Sequence, residues 1–218
     1  MKYAIISDIH SNYKALHKVL ASIEQQEVDK IISIGDQIGY GLFPDAVLNE
    51  LQKQKVESIM GNHEMALFDK EEYNAMSKEG RRAIDENRKF LSEKHLQYLK
   101  TLPKTIIENN IRFVHAMPPN SQTTYINRLA DIEILLQSVL YREQIAFCGH
   151  THQSCIYEMG IEKVIKRKFE YNKLVKLNPE LRYIINVGSV SFQRGKERHW
   201  SEYAIFDRIN YTIEFIKL

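Results

Sequence analysis

Short, mostly apolar runs alternate with longer amphipathic stretches over the first two-thirds of the chain. The runs at 3–7, 30–34, 57–60, 112–114 and 145–148 are short enough for strands and fit a buried sheet. Between the first two, Ala15, Leu16, Val19, Leu20 and Ile23 recur at helical spacing, and Asn12 stands where an N-cap belongs. The pattern predicts a second helix over 45–54, with Pro44 near its first turn. A long, mostly helical stretch follows over 65–102, interrupted near Gly80 and ended by Pro103. An amphipathic helix is expected over 130–140. After residue 152 the helical period fades. Strand-like segments take over at 155–159, 163–169, 181–185, 203–207 and 211–217, with Asn210 in the last hairpin turn. This order predicts an α/β (α+β) fold in one domain, 1–218, with a second sheet packed on the first.

Composition narrows the class. The chain has 218 residues, 44% hydrophobic and 27% charged, which is ordinary globular usage. No apolar run approaches the roughly 20 residues of a membrane span. The apolar start reaches Asp8 too soon for a secretory h-region of about 7–15 residues, so a cytoplasmic location is expected. With 30 Lys+Arg against 28 Asp+Glu, the charge of +2 predicts no general attraction to nucleic acid or to an anionic membrane. Cys148 and Cys155 are expected as reduced thiols.

The candidate chemistry sits at the strand ends. The first predicted strand runs into Asp8-Ile9-His10, the second into Gly35-Asp36, the third into Gly61-Asn62-His63-Glu64. The fourth ends in His115 and the fifth in Gly149-His150-Thr151-His152. Ligands of α/β sheets bind beyond the carboxyl ends of the strands, so these clusters are expected to share one site. In extended backbone Asp8 and His10 point the same way, as do His150 and His152. Imidazole with carboxylate and no thiolate suits Mn, Fe, Zn or Ni better than Ca or Mg alone. The donors are too many for one tetrahedral ion. They fit two divalent cations about 3.5–4 Å apart that share a carboxylate.

The ordered set D-x-H, G-D-x-x-G, G-N-H-E, H-A and G-H-T-H resembles the calcineurin-like metallophosphoesterase superfamily. Within it, Gly35-Asp36-Gln37-Ile38-Gly39-Tyr40-Gly41 resembles a branch of small bacterial and archaeal phosphoesterases. Asn186-Val187-Gly188-Ser189-Val190, with Gln193-Arg194 and Ser201-Glu202-Tyr203, is similar to that branch's C-terminal pattern. The resemblance implies a four-layer αββα sandwich of two mixed sheets flanked by helices. It implies one metal held by Asp8, His10, Asp36 and His152, and a second held by Asp36, Asn62, His115 and His150. Asp36 would bridge them, and His63 would stand beside the phosphate as general acid or transition-state stabiliser.

Some positions depart from the pattern. Glu64 stands where the branch often has Asp, Ala116 follows His115 in place of Gly, and Val187 replaces a common Pro. Gly39-Tyr40 occupies the place of the Asp-Arg pair of serine/threonine protein phosphatases, which weakens that reading.

The implied activity is metal-dependent hydrolysis of phosphoesters, as a phosphodiesterase or a phosphatase, acting on a small-molecule or nucleotide substrate. Two cations would generate hydroxide from a shared water at neutral pH, with manganese the first expectation. A nucleoside polyphosphate hydrolase or a serine/threonine protein phosphatase is the alternative, and a non-catalytic protein-interaction scaffold on the same fold is the lesser one. Asn12, Tyr40 and Arg194 are the candidate substrate contacts, Arg194 because guanidinium grips phosphate bidentately. Met117-Pro118-Pro119 is a candidate mouth of the site. The segment 163–176 gathers Lys163, Lys166, Arg167, Lys168, Lys173 and Lys176 beside Phe169 and Tyr171. It reads as a solvated strand face, with nucleic-acid stacking as the competing role. The charged run 78–88 reads as an exposed helix face.

Overall fold

The computed structural model describes residues 1–126, 132, 142–160, 163–192 and 200–218. The first part of the chain carries β1 (Lys2–Ile6), α1 (Tyr13–Glu24), β2 (Lys30–Ser33), α2 (Pro44–Lys53) and β3 (Glu57–Ser58). Next come α3 (Asn62–Ala66), α4 (Lys70–Ala75), α5 (Lys78–Phe90) and α6 (Glu93–Thr101). Then follow β4 (Thr105–Glu108), β5 (Ile111–Val114), β6 (Ile145–Cys148) and β7 (Cys155–Met159). The last strands are β8 (Val164–Arg167), β9 (Leu174–Lys176), β10 (Arg182–Asn186), β11 (Glu202–Asp207) and β12 (Thr212–Lys217).

Two six-stranded mixed sheets result. One has the order β3-β2-β1-β11-β12-β9, the other β4-β5-β6-β10-β7-β8. The β-rich last third therefore does not build a sheet of its own. β11 pairs antiparallel with β1 in one sheet, and β10 pairs parallel with β6 in the other. Apolar side chains occupy both faces of the central strands, so each strand serves two layers. Tyr3, Ile5 and Phe206 join Phe113, Phe147 and Ile185 in the core between the sheets. Ala4, Ile6, Tyr203 and Ile205 turn outward and meet Leu16, Val19, Leu20 and Ile23 of α1. Burial of each of those large α1 side chains is worth about 1.5–3 kcal/mol. On the far side, Val114, Ala146, Cys148 and Ile184 enclose Ile132. Apart from Ile132, the helix expected over 130–140 lies outside the described residues. The fold is the expected α/β sandwich of two mixed sheets with helices.

The stretch 65–102 is four short helices in place of one interrupted near Gly80. Each break carries its own cap. Asp69 accepts from the amides of Glu71 and Glu72, Ser77 from that of Gly80, and Ser92 from that of His95. Gly80 thus lies inside the first turn of α5, and the interruption falls at Ser77. The strands β4 and β9 carry no strong sequence pattern. β4 is fixed by its antiparallel register with β5 and β9 by pairing with β12, both non-local relationships.

Of the basic segment, Val164–Arg167 and Leu174–Lys176 are strand, and the residues between them form a connecting turn. Arg167 Nη1 lies 2.9 Å from Glu158 and Lys173 Nζ 2.6 Å from Glu170. Phe169 stacks on Phe215 with ring centres 4.2 Å apart, and the Tyr171 hydroxyl donates to Glu202. Neither ring is presented as a platform for bases. The Asn210 turn forms as expected, with its amide and side chain both donating to Asp207. Cys148 and Cys155 are buried, unpaired thiols. No helix among the described residues is long and apolar enough to cross a membrane.

Candidate metal centre

The strand ends converge because their loops are zipped to one another. The His10 amide donates to Asp36 O (2.9 Å), the Ser11 amide to Gln37 O (2.8 Å) and the Gly149 amide to His115 O (2.8 Å). The backbone turns sharply to allow this. Asp8, His10, Asp36, His150 and His152 all lie in the left-handed region, with φ between 49° and 64°. Asp and His enter that region more readily than most residues, so the residue types that carry the chemistry also suit the turn. Gly35 (φ 98°) is required for closeness too, since a Cβ there would lie 2.6 Å from His115 Nδ1.

Three groups of donor atoms gather, all buried: Asp8, His10 and His152; His10, Asp36 and His63; and Asp36, His115 and His150. Asp36 Oδ2 sits among the rings, 3.3 Å from His115 Nε2, 3.8 Å from His10 Nε2 and 3.9 Å from His63 Nε2. Asn62 Oδ1 lies 3.2 Å from His115 Nε2.

Carbonyl oxygens orient these rings. His10 Nδ1 is 3.1 Å from Ile38 O, His152 Nδ1 is 3.0 Å from Phe192 O, and His115 Nδ1 is 2.8 Å from Ile34 O. A carbonyl only accepts, so each Nδ1 carries a proton and each Nε2 faces inward, where the neutral ring offers a lone pair. His150 is reversed: its Nε2 is 3.1 Å from Thr123 O, which leaves Nδ1 for the site. His10 Nε2 and His152 Nε2 then face each other at 3.1 Å. Beside them, Asp8 Oδ1 is buried with no hydrogen-bond partner. Two lone pairs and an orphaned carboxylate oxygen in one buried space are what a cation satisfies, so the residues present fit divalent metal.

The electrostatics agree. Burial raises the cost of charging Asp8 and Asp36, yet the neighbouring imidazoles outweigh it and hold both carboxyls below their usual range. Burial, with the charge of His63, pushes His10 down to about 3, so it stands ready as a neutral ligand. Burial also lowers His63. His115 is the exception. Burial opposes its charge, but Asp36 raises it to about 9.

A cavity of about 400 Å³ opens over Asp36, Asn62, His63 and His150. Tyr40, one of the candidate substrate contacts, lines it. Asn12 does not line it. Its Oδ1 accepts from the Ala15 amide, capping α1, and its Nδ2 donates to Ser191. Arg194 lies outside the described residues, and Met117-Pro118-Pro119 does not line the cavity.

A profile of the calcineurin-like phosphoesterase superfamily domain matches residues 1–210. The chain belongs to that superfamily. An uncharacterized protein of Methanocaldococcus jannaschii is 30% identical over 221 residues, covering 99% of this chain and 86% of that protein. A metallophosphoesterase from Sphaerobacter thermophilus superposes with a TM-score of 0.81 at 28% identity, over 100% of this chain and 88% of its own. A hypothetical protein from Pyrococcus horikoshii shares the fold, with a TM-score of 0.78 at 16% identity, over 100% of this chain and 87% of its own. Superfamily membership and the His/Asp clusters together mark a divalent-metal site in a phosphoester hydrolase.

Several residues of this phosphoesterase support the site without standing in a strand-end motif. Asn186 Nδ2 donates to Gly149 O (2.5 Å) and Thr151 Oγ1 (3.0 Å), clamping the loop of His150 and His152. Glu202 accepts from Ser154 (2.5 Å), Tyr171 (2.6 Å) and Trp200 (2.6 Å), anchoring the chain just beyond that loop. Asn87 on α5 accepts from Ser11 Oγ (2.5 Å) and the Gly39 amide (2.8 Å), and donates to Gly41 O (2.8 Å). The charged run 78–88 is therefore not wholly exposed. Gly80, Ala83, Ile84 and Asn87 form a buried stripe at helical spacing, which was the available signal.

Proposed function

We propose that the protein is a dinuclear metal-dependent phosphoesterase, acting as a phosphodiesterase or a phosphatase. The carrying observation is the set of Nε2 atoms of His10, His115 and His152 turned inward around Asp8 and Asp36. On this reading, Asp8, His10, Asp36 and His152 hold one cation, and Asp36, Asn62, His115 and His150 the other. Manganese is the first candidate, with iron, zinc or nickel as substitutes. When bound, such a pair supplies an activated water and neutralises charge on the phosphate.

The chain's own groups do the rest. Asp36 reaches both halves of the site through one carboxylate. His63 lies beside Asp36 and lines the cavity. A phosphate anion there offsets the burial cost of the imidazolium and favours a protonated His63. That ring then gives its proton to the departing alkoxide, typically worth 10²–10⁴-fold. The water oxygen bonds to phosphorus, the bond to the leaving oxygen breaks, and the products are a monoester and an alcohol. The buried free thiols fit a cytoplasmic setting.

The test is hydrolysis of bis-p-nitrophenyl phosphate and p-nitrophenyl phosphate by metal-stripped protein, with and without Mn²⁺. Activity should return with about two ions per chain and be suppressed by Asp36→Ala and His63→Ala. Full activity after verified metal removal would overturn the reading. A preference for the monoester would make the protein a phosphatase.

A further inference from the structure

The wall of the cavity opposite the strand ends comes from α4 and the start of α5, and it carries a carboxylate. Glu72 and Met76 line the cavity from that side, while Tyr40, Tyr125 and Phe192 line it from the loops. Tyr125 lies against His150 with ring centres 4.2 Å apart, and Tyr40 and Phe192 meet edge-on at 5.8 Å. No Lys or Arg lines the cavity among the described residues, and none of the described residues forms an ion pair with Glu72.

Two consequences follow. A phosphate beyond the scissile one meets Glu72 across a partly enclosed space, where like charges repel more strongly than in open water. A flat apolar group finds rings and a thioether to pack on, while Glu72 accepts from a hydroxyl or amine donor on it. We propose that Glu72 is a charge filter that restricts this site to phosphodiesters of single negative charge, whose second substituent is a planar ring bearing hydroxyl or amine donors, as in a nucleoside. This rests on the phosphoesterase reading above.

The experiment uses Mn²⁺-loaded full chain, wild type and Glu72→Gln, on four substrates. Bis-p-nitrophenyl phosphate and p-nitrophenyl phosphate differ in charge. Thymidine 5′-(p-nitrophenyl phosphate) and methyl p-nitrophenyl phosphate share a charge and a leaving group but differ in the second substituent. Glu72 is half-buried on α4, and Glu72→Gln keeps the shape of its side chain while removing its charge. Removing the charge should lower KM for the dianionic monoester about fivefold, with KM for the bis ester within twofold. Wild type should bind the thymidine ester about tenfold better than the methyl ester, the scale of one base stacked on aromatic rings. Turnover with an unchanged monoester-to-diester KM ratio in Glu72→Gln would overturn the filter and leave the phosphoesterase reading standing. Equal KM for thymidine and methyl esters would overturn the ring seat. No turnover of any of the four would overturn both readings together.

Discussion

The carboxylate of Glu64 accepts the backbone amide of Asp36 at 2.9 Å, and the same oxygen accepts the Gly61 amide at 2.7 Å. Its second oxygen accepts the Ile38 amide at 3.1 Å. One buried side chain thus ties the loop of the bridging candidate Asp36 to the loop of Asn62. Burial, and then the charge of Asp36, push the Glu64 carboxyl up to about 7, and the Gly61 and Ile38 amides offset part of that cost. Glu64→Gln keeps the shape but turns an NH₂ group toward amide donors. It should destabilise the fold by about 1–3 kcal/mol, the cost of unsatisfied buried groups. It should also reduce the metal retained after dialysis. Denaturant unfolding and metal analysis check this, and a variant matching wild type in both would remove Glu64 from the site's support.

Asn87 makes a parallel prediction from a different helix. It reaches from α5 to the Ser11 hydroxyl and to the Gly39–Gly41 backbone and leaves none of its polar atoms idle. Asn87→Ala leaves the Gly39 amide and Ser11 hydroxyl without that partner and frees the loop that carries Tyr40. The expected result is a loss of about 1–3 kcal/mol in stability and a drop in kcat of tenfold or more, with metal stoichiometry kept. Stability loss with unchanged kcat would make Asn87 a purely structural residue.

Glu64 and Asn87 show what kind of information a sequence exposes. Asp8-Ile9-His10, Asp36, Asn62-His63, His115 and His150-Thr151-His152 were legible because each is a local polar cluster directly after an apolar run. The helix α1 was legible from its own stripe and its Asn12 cap. Asn87 was hidden inside a run of charges, and only its phase with Ala83 and Ile84 marks it as buried. The division of β9, β11 and β12 from β7, β8 and β10 between two sheets was not legible, because strand pairing is settled by contacts distant in sequence. The Glu72 wall depends on where the capped breaks at Asp69 and Ser77 turn the chain, and the mostly helical pattern of 65–102 marked an interruption only near Gly80.

Gly39 tests how tightly His63 is held. Its φ of 96° is left-handed, and a Cβ at this position would lie 2.1 Å from His63 Nδ1 and 2.8 Å from its Cε1. His63 is buried, so the ring can yield only by leaving its place beside Asp36. Gly39→Ala should therefore cost activity on the scale of losing the proton donor, 10²–10⁴-fold. Metal content should stay near wild type, because His63 is not among the residues assigned as ligands. Comparison with His63→Ala is decisive: a Gly39→Ala enzyme within threefold of wild type would show that His63 does not need its present position.

The metal-free protein should show a pH dependence that the loaded protein lacks. Asp36 raises His115 from 6.5 to about 9, so the proton on its Nε2 favours the folded state. For a base with a raised pKa, that contribution is fully present below 6.5 and is lost as pH rises through about 9. His10 acts in the opposite sense, since its pKa falls from 6.5 to about 3, but its effect is confined to pH below 6.5. Between these limits, chelated protein should lose thermal stability steadily as pH rises. Metal occupies the position of the His115 proton, so loading should release a proton and remove the trend. The gap in Tm between Mn²⁺-loaded and chelated protein should therefore widen from pH 6.5 to 9. Calorimetry in buffers of different ionisation enthalpy should register proton release on metal binding near pH 7.5. A constant gap with no proton release would show that His115 is not displaced by metal, and would leave the half of the site built on Asp36, Asn62, His115 and His150 without its cation.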